Sequence, residues 1–150
     1  MGSSMHEDYI MRQIRAAVRL LLHAIGFRVA GDLEAARQEM GNAYRELLGS
    51  DALLFSSMDS KTGAALLARP EKMTVMADLF HEEAEILRTA KKGDPEAMDR
   101  RALEYALEAF MTAPESEENA ARIKRLAERV KAETLDARYR ETMEDFNKTN

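Results

Sequence analysis

The stretch FRVAGDLEAARQEMGNAYRELLG, residues Phe27 to Gly49, decides the fold. A Gly-Asp pair at Gly31 and Asp32 interrupts a helical pattern that resumes at once with small residues at fixed spacings. Glycine adopts the left-handed conformation at a helix end without a Cβ penalty. An aspartate placed next accepts a hydrogen bond from an otherwise unpaired backbone N–H of the following helix. Glu34 then favours the positive end of that helix's dipole. The segment therefore predicts a helical hairpin whose second arm ends at Leu48, before Gly49.

Upstream, a helix is expected from about Glu7 to Ala30. Ile10, Ile14, Ala17, Val18, Leu21 and Ile25 form one apolar stripe, and Met11, Leu20, Leu22, Ala24 and Phe27 extend it almost around the cylinder. The turn device recurs at Gly93 and Asp94, between a helix opened by Pro70 and one opened by Pro95. The earlier of the two carries Met73, Met76, Phe80, Ala84 and Leu87 toward Lys92, and the later ends before Pro114. Ser116 and Asp136 each read as the cap of a further helix. Ile123, Ala127 and Val130 face inward on one, and Tyr139, Met143 and Phe146 on the other. Short helical turns are expected near Asp51–Ser57 and Ala64–Arg69. No segment alternates at the period of a strand. The expected fold is all-α: about six main helices in three antiparallel hairpins, plus a short helical insert.

Composition sets the class. The chain has 150 residues, 45% apolar and 33% charged, a mixture too apolar for disorder and too charged for a membrane protein. A single domain over residues 5–150 is expected, with MGSS at residues 1–4 read as a cloning remnant before a native Met5. No cysteine is present, which fits a reducing compartment and excludes a thiolate zinc site. A cytoplasmic protein follows, with no signal peptide and no apolar run near the ~20 residues that span a bilayer. The net charge of −5 argues against nucleic acid as a partner. Two arginine rows, Arg12, Arg15 and Arg19 and then Arg122, Arg125 and Arg129, read as solvated helix faces decorated by pairs such as Glu118 with Arg122 and Arg129 with Glu133.

Catalytic and metal signatures are not found. His81 and Glu85 lie one turn apart in HEEAE, but the second histidine of HExxH is missing, and two ligands are too few for structural zinc. His23 reads as a partly buried packing residue. No phosphate loop or nucleophile elbow occurs, so no cofactor and no enzyme activity are expected. Met40, Met73, Met76 and Met98 read as core.

The first hairpin resembles a tetratricopeptide repeat. Leu20, Ala24 and Phe27 match the large, small and aromatic positions of that motif's first helix, and Ala36, Met40 and Ala43 match the small, large and small positions of its second. His23 stands where leucine is usual, and Leu48 where the motif closes with proline. The second hairpin fits less well, through Phe80, Ala84 and Leu87. As a whole the chain is similar to a bacterial family of tetratricopeptide-like proteins with no assigned activity, on the strength of DYIMRQI, the Gly-Asp hairpin ending RELLG, and HEEAEIL with its later Gly-Asp. The resemblance implies a right-handed array of hairpins acting as a protein-interaction or scaffold module; the alternative is an enzyme or small-ligand binder built from scattered polar residues. It also implies a partner-binding or self-association face made of Val18, Leu21, Ile25, Arg28 and Val29. Four of these five are apolar, so a cover is expected: a protein or peptide partner, a second copy of the chain, or the helix carrying Tyr139, Met143 and Phe146.

Overall fold

The computed structural model describes residues 2–150; Met1, part of the expected remnant, lies outside them. Among the described residues every regular element is helical. The elements are α1 (Gly2–Val29), α2 (Leu33–Leu48), α3 (Ala52–Ser57), α4 (Ser60–Leu67), α5 (Pro70–Ala90), α6 (Pro95–Thr112), α7 (Glu117–Ala127) and α8 (Ala137–Thr149), with single 3-10 turns at Gly49–Asp51 and Ala132–Thr134. Among the described residues, no helix is long and apolar enough to cross a membrane. The chain divides into two compact units, Met1–Met58 and Asp59–Asn150.

The first unit is a hairpin of α1 and α2, continued by α3. Its turn closes as the sequence implies. Gly31 sits at φ 89°, its N–H donates to the Arg28 carbonyl at 3.0 Å, and the Asp32 N–H donates to the Phe27 carbonyl at 2.9 Å. That pair of bonds satisfies carbonyls the helix end would otherwise leave open. The Asp32 carboxylate then accepts from the Ala35 N–H at 3.1 Å, opening α2. Ala17 and Ala24 of α1 and Ala36 and Ala43 of α2 are fully buried, and Met40 and Leu47 fill the space these small residues leave.

The second unit is built on the hairpin of α5 and α6. Its turn closes two residues earlier than expected, because Lys91 rather than Gly93 takes the helix-ending left-handed conformation, at φ 54°. Lys91 and Lys92 repeat the hydrogen-bond pair of the first turn, onto Arg88 and Leu87. Asp94, Ser116 and Asp136 each cap a helix by accepting the N–H three residues on. Asp59 does the same for α4, which starts earlier than its predicted turn and ends on Ala68 at φ 67°.

The third expected hairpin does not form. α7 and α8 each pack on α6 rather than chiefly on each other. α7 stops at Ala127, short of Val130, so Val130 sits half-buried in the link to α8 instead of on a helix face. The core of this unit gathers Met76, Leu79, Leu103, Tyr105, Leu107, Ile123 and Phe146. Edge-to-face aromatic pairs link Phe80 with Tyr105 at 5.5 Å and Phe110 with Phe146 at 5.4 Å, geometries worth about 0.5–1.5 kcal/mol beyond burial alone.

Candidate functional site

The expected partner face on α1 is split by its own packing. Leu21 is only 6% exposed and belongs to the buried stripe with Ile10, Ile14, Ala17 and Ala24. Ile25 and Arg28 are half-buried, while Val18 and Val29 stand 36% and 74% exposed. Phe27, matched to the aromatic of a repeat wedge, is 39% exposed and Leu20 is half-buried, whereas Met40 is fully buried. Tyr139 and Phe146 are buried where α8 packs on α6, with Met143 half-buried beside them.

What α1 does present is an adjacent apolar seam. Met11, Val18, Leu22, Ile25 and Val29 follow one another at steps of 7, 4, 3 and 4 residues. At about 100° per residue they lie within an arc of about 60°, beside the buried stripe. Leu22 is 61% exposed and also lines an open groove of about 740 Å³ with Gly26, Phe27, Ala30, Ala35 and Gln38. His23 and Glu39 bridge that groove at 3.2 Å, so His23 lies on the surface rather than packed inside. On the far side of the seam, Arg12, Arg15 and Arg19 form an exposed row, and among the described residues none of the three makes an ion pair. The imbalance between the two units is plain. Among the described residues, the most exposed large apolar side chains lie mainly in the first unit, from Met5 to Leu54, with only Leu66 and Met111 in the second.

The second unit instead concentrates buried charge. His81 Nδ1 lies 2.8 Å from Asp99 Oδ1, and the fully buried Asp99 also receives the Arg88 guanidinium. Burial pushes the Asp99 carboxyl up, but the hydrogen bonds from His81 and Arg88 outweigh it and hold the group below its usual range. Glu85 joins Arg88 at 2.7 Å and Arg129 at 2.9 Å, tying α5 to the chain just beyond α7. Arg129 thus pairs with Glu85, not with Glu133. Arg122, expected in solvent, is 7% exposed and grips both Asp78 oxygens at 2.8 and 3.0 Å; its expected partner Glu118 is also near, at 3.5 Å. Asn119 accepts from Arg122 at 3.1 Å and donates to the Ala106 carbonyl at 2.9 Å, which satisfies the polar groups that α7 buries. Among the described residues no cluster of three or more His, Asp or Glu side chains is arranged to hold a metal. His81 Nε2 and Glu85 are 4.0 Å apart within the ionic network.

A second polar cluster lines a cleft of about 590 Å³ between α4, α6 and the start of α8. The buried Ser60 hydroxyl donates to Glu104 at 2.6 Å. Burial raises the Glu104 carboxyl above its usual range, more than that hydrogen bond lowers it. Glu108 accepts from the Tyr139 hydroxyl at 2.6 Å and from both arms of Arg138 at 2.8 and 2.9 Å. Burial and the neighbouring Glu108 push the Tyr139 phenol up, and the bond to Glu108 raises Arg138. Burial also raises the Tyr105 phenol to about 12. Neither cluster contains a side chain set up as a nucleophile. The His81–Asp99 pair resembles an oriented base, but Asp99 is shared with Arg88 and serves the α5–α6 contact.

Sequence reasoning placed Arg122 on the wrong side of its helix because its partner, Asp78, is 44 residues away. The bond between Ser60 and Glu104 had no local signature either, since the two residues are also 44 apart. Comparison with known proteins finds no family model, no curated protein and no solved structure that matches this chain.

Proposed function

We propose that the chain is a protein-interaction module that works through the exposed face of its first hairpin, in the manner of a tetratricopeptide-like unit. The observation that carries this is the concentration of uncovered large apolar side chains on Met1–Met58, with Leu22, Val29, Leu53 and Leu54 each more than half exposed. Soluble monomers rarely leave contiguous apolar surface open, and Met11, Val18, Leu22 and Val29 follow one arc of α1. Fully burying a Leu or Val side chain contributes about 1.5–3 kcal/mol, so covering even part of the seam supports specific association. The repeat-like character rests on the buried small residues Ala24, Ala36 and Ala43 around Met40.

The test is the double variant Leu22→Asp with Val29→Asp. Both positions are exposed, so its thermal melt should match wild type. Light scattering over a range of concentrations, and capture by the immobilised chain, should show an association that the variant loses. An identical association profile for both proteins would remove this face from the function.

A second function, small-ligand binding in the cleft beside Ser60, is favoured by one observation. Glu104 is a carboxyl raised by burial within reach of a cavity large enough for a ligand. Thermal shift with a panel of small polar molecules, lost in Glu104→Gln, is the expected signature; no shift with any of them would dismiss it.

A further inference from the structure

We propose that the partner of the α1 face is an amphipathic helical segment whose apolar seam is flanked by Asp or Glu, and this rests on the interaction function above. Two independent features of α1 lead there. The first is spacing: Met11, Val18, Leu22, Ile25 and Val29 repeat at the intervals with which one helix meets another knob by knob. An extended strand or a flat surface would not match a seam that follows a helix axis over 19 residues of chain, from Met11 to Val29.

The second is charge. Arg15, Arg19 and Arg12 occupy the next arc of about 60° around the helix from the seam, where a docked helix places its flanking positions. All three are exposed, and among the described residues none is paired. In the second unit, by contrast, Arg88, Arg122, Arg129 and Arg138 each hold a carboxylate. Asp8 stands at the N-terminal end of the row and leaves its net charge positive. A protein that is acidic overall, at −5, therefore keeps a net cationic edge beside the apolar seam of α1. A partner with acidic flanks is drawn to that edge, and a partner with basic flanks is repelled. A second copy of the chain, docked antiparallel on the same seam, sets the two arginine edges on one side of the contact and gains no opposite charge there.

The experiment uses the full chain and two designed peptides of about 21 residues. Both carry leucine at the seam positions; one carries glutamate and the other lysine at the flanking positions. Binding is read by fluorescence anisotropy at low and high salt, with light scattering on the chain alone. Three exposed ion pairs, each worth about a factor of two, give an expected preference of roughly eightfold for the glutamate peptide, shrinking as salt rises. The triple variant Arg12→Glu, Arg15→Glu, Arg19→Glu should reverse the order, Arg→Gln at the same three positions should level it, and Leu22→Asp should weaken both peptides together. Equal binding, or a preference for lysine, would overturn the acidic partner while leaving the interaction function standing. A chain that is already dimeric, and that Leu22→Asp makes monomeric, would replace that partner by a second copy. A monomeric chain that binds neither peptide would overturn both.

Discussion

Burial acts on the carboxyls of Asp99 and Glu104 in the same direction, yet they end with opposite shifts because of what faces them. Asp99 meets His81 and Arg88, which more than offset its burial and lower its pKa; Glu104 meets chiefly the Ser60 hydroxyl, which does not offset burial, and its pKa is raised. The lowered group contributes stability that is present above its unfolded value of 3.8 and lost as pH falls. Asp99→Asn should therefore destabilise by about 3 kcal/mol at pH 7, the cost of breaking a buried ion pair, with the gap to wild type narrowing in melts below pH ~4. The raised group behaves in reverse. Between its unfolded value of 4.5 and its higher folded value the native state holds the extra proton, so its contribution is full below 4.5 and is lost as pH rises. Glu104→Gln, which can still accept from Ser60, should raise the melting temperature at pH 7 and bring no gain at pH 4. A loss of stability at pH 7 would mean that the charged form of Glu104 is the one the fold requires.

At the scale of elements, the two hairpin turns make the same hydrogen bonds with different residues in the left-handed place. A Cβ at Gly31 would meet nothing within 4 Å, so substitution there is opposed by backbone conformation alone. Gly31→Val should cost about 1–2 kcal/mol and Asp32→Ala about 1 kcal/mol. Lys91 already bears the penalty that Gly31 avoids, so Lys91→Gly should stabilise, by up to about 1 kcal/mol. Chemical denaturation of the three variants checks the signs; a destabilised Lys91→Gly would show that the lysine side chain matters more than its φ. These turns were legible in the sequence because caps act within three residues of themselves. Asp32, Asp94, Ser116 and Asp136 all do so. Phe27 was not legible. α1 is apolar around most of its circumference, and periodicity alone does not say from which side its neighbours arrive. The exposure of Phe27 and the burial of Met40 lead to unequal costs: about 2–5 kcal/mol for Met40→Ala and below about 1 kcal/mol for Phe27→Ala. The pairing of α7 and α8 failed for a related reason. Good caps at Ser116 and Asp136 fix where each helix starts, but not which neighbour it packs on.

For the whole molecule, the distribution of core and uncovered surface predicts how the two units behave when separated. Asp59–Asn150 holds the aromatic pairs, the ion pairs of Asp78, Asp99 and Glu108, and the fully buried Met76, Leu79, Leu103, Tyr105, Leu107 and Ile123. Every helix in it that is capped by a side chain keeps that cap when the chain is cut after Met58, including Asp59 on α4. A segment of this size, well above the length at which a lone core becomes marginal, should fold by itself. Met1–Met58 holds two long helices and a short one, with most of the large exposed apolar side chains. Helices in water draw most of their stability from packing, and a lone hairpin offers one contact face. The segment 59–150 should therefore melt in a single cooperative transition by circular dichroism, while 1–58 should show helicity that rises with its concentration as its apolar faces meet. A non-cooperative melt for 59–150 would show that its core depends on the first unit. Concentration-independent, cooperative folding of 1–58 would show that the hairpin needs no cover, which would take away the reason for expecting a partner on α1.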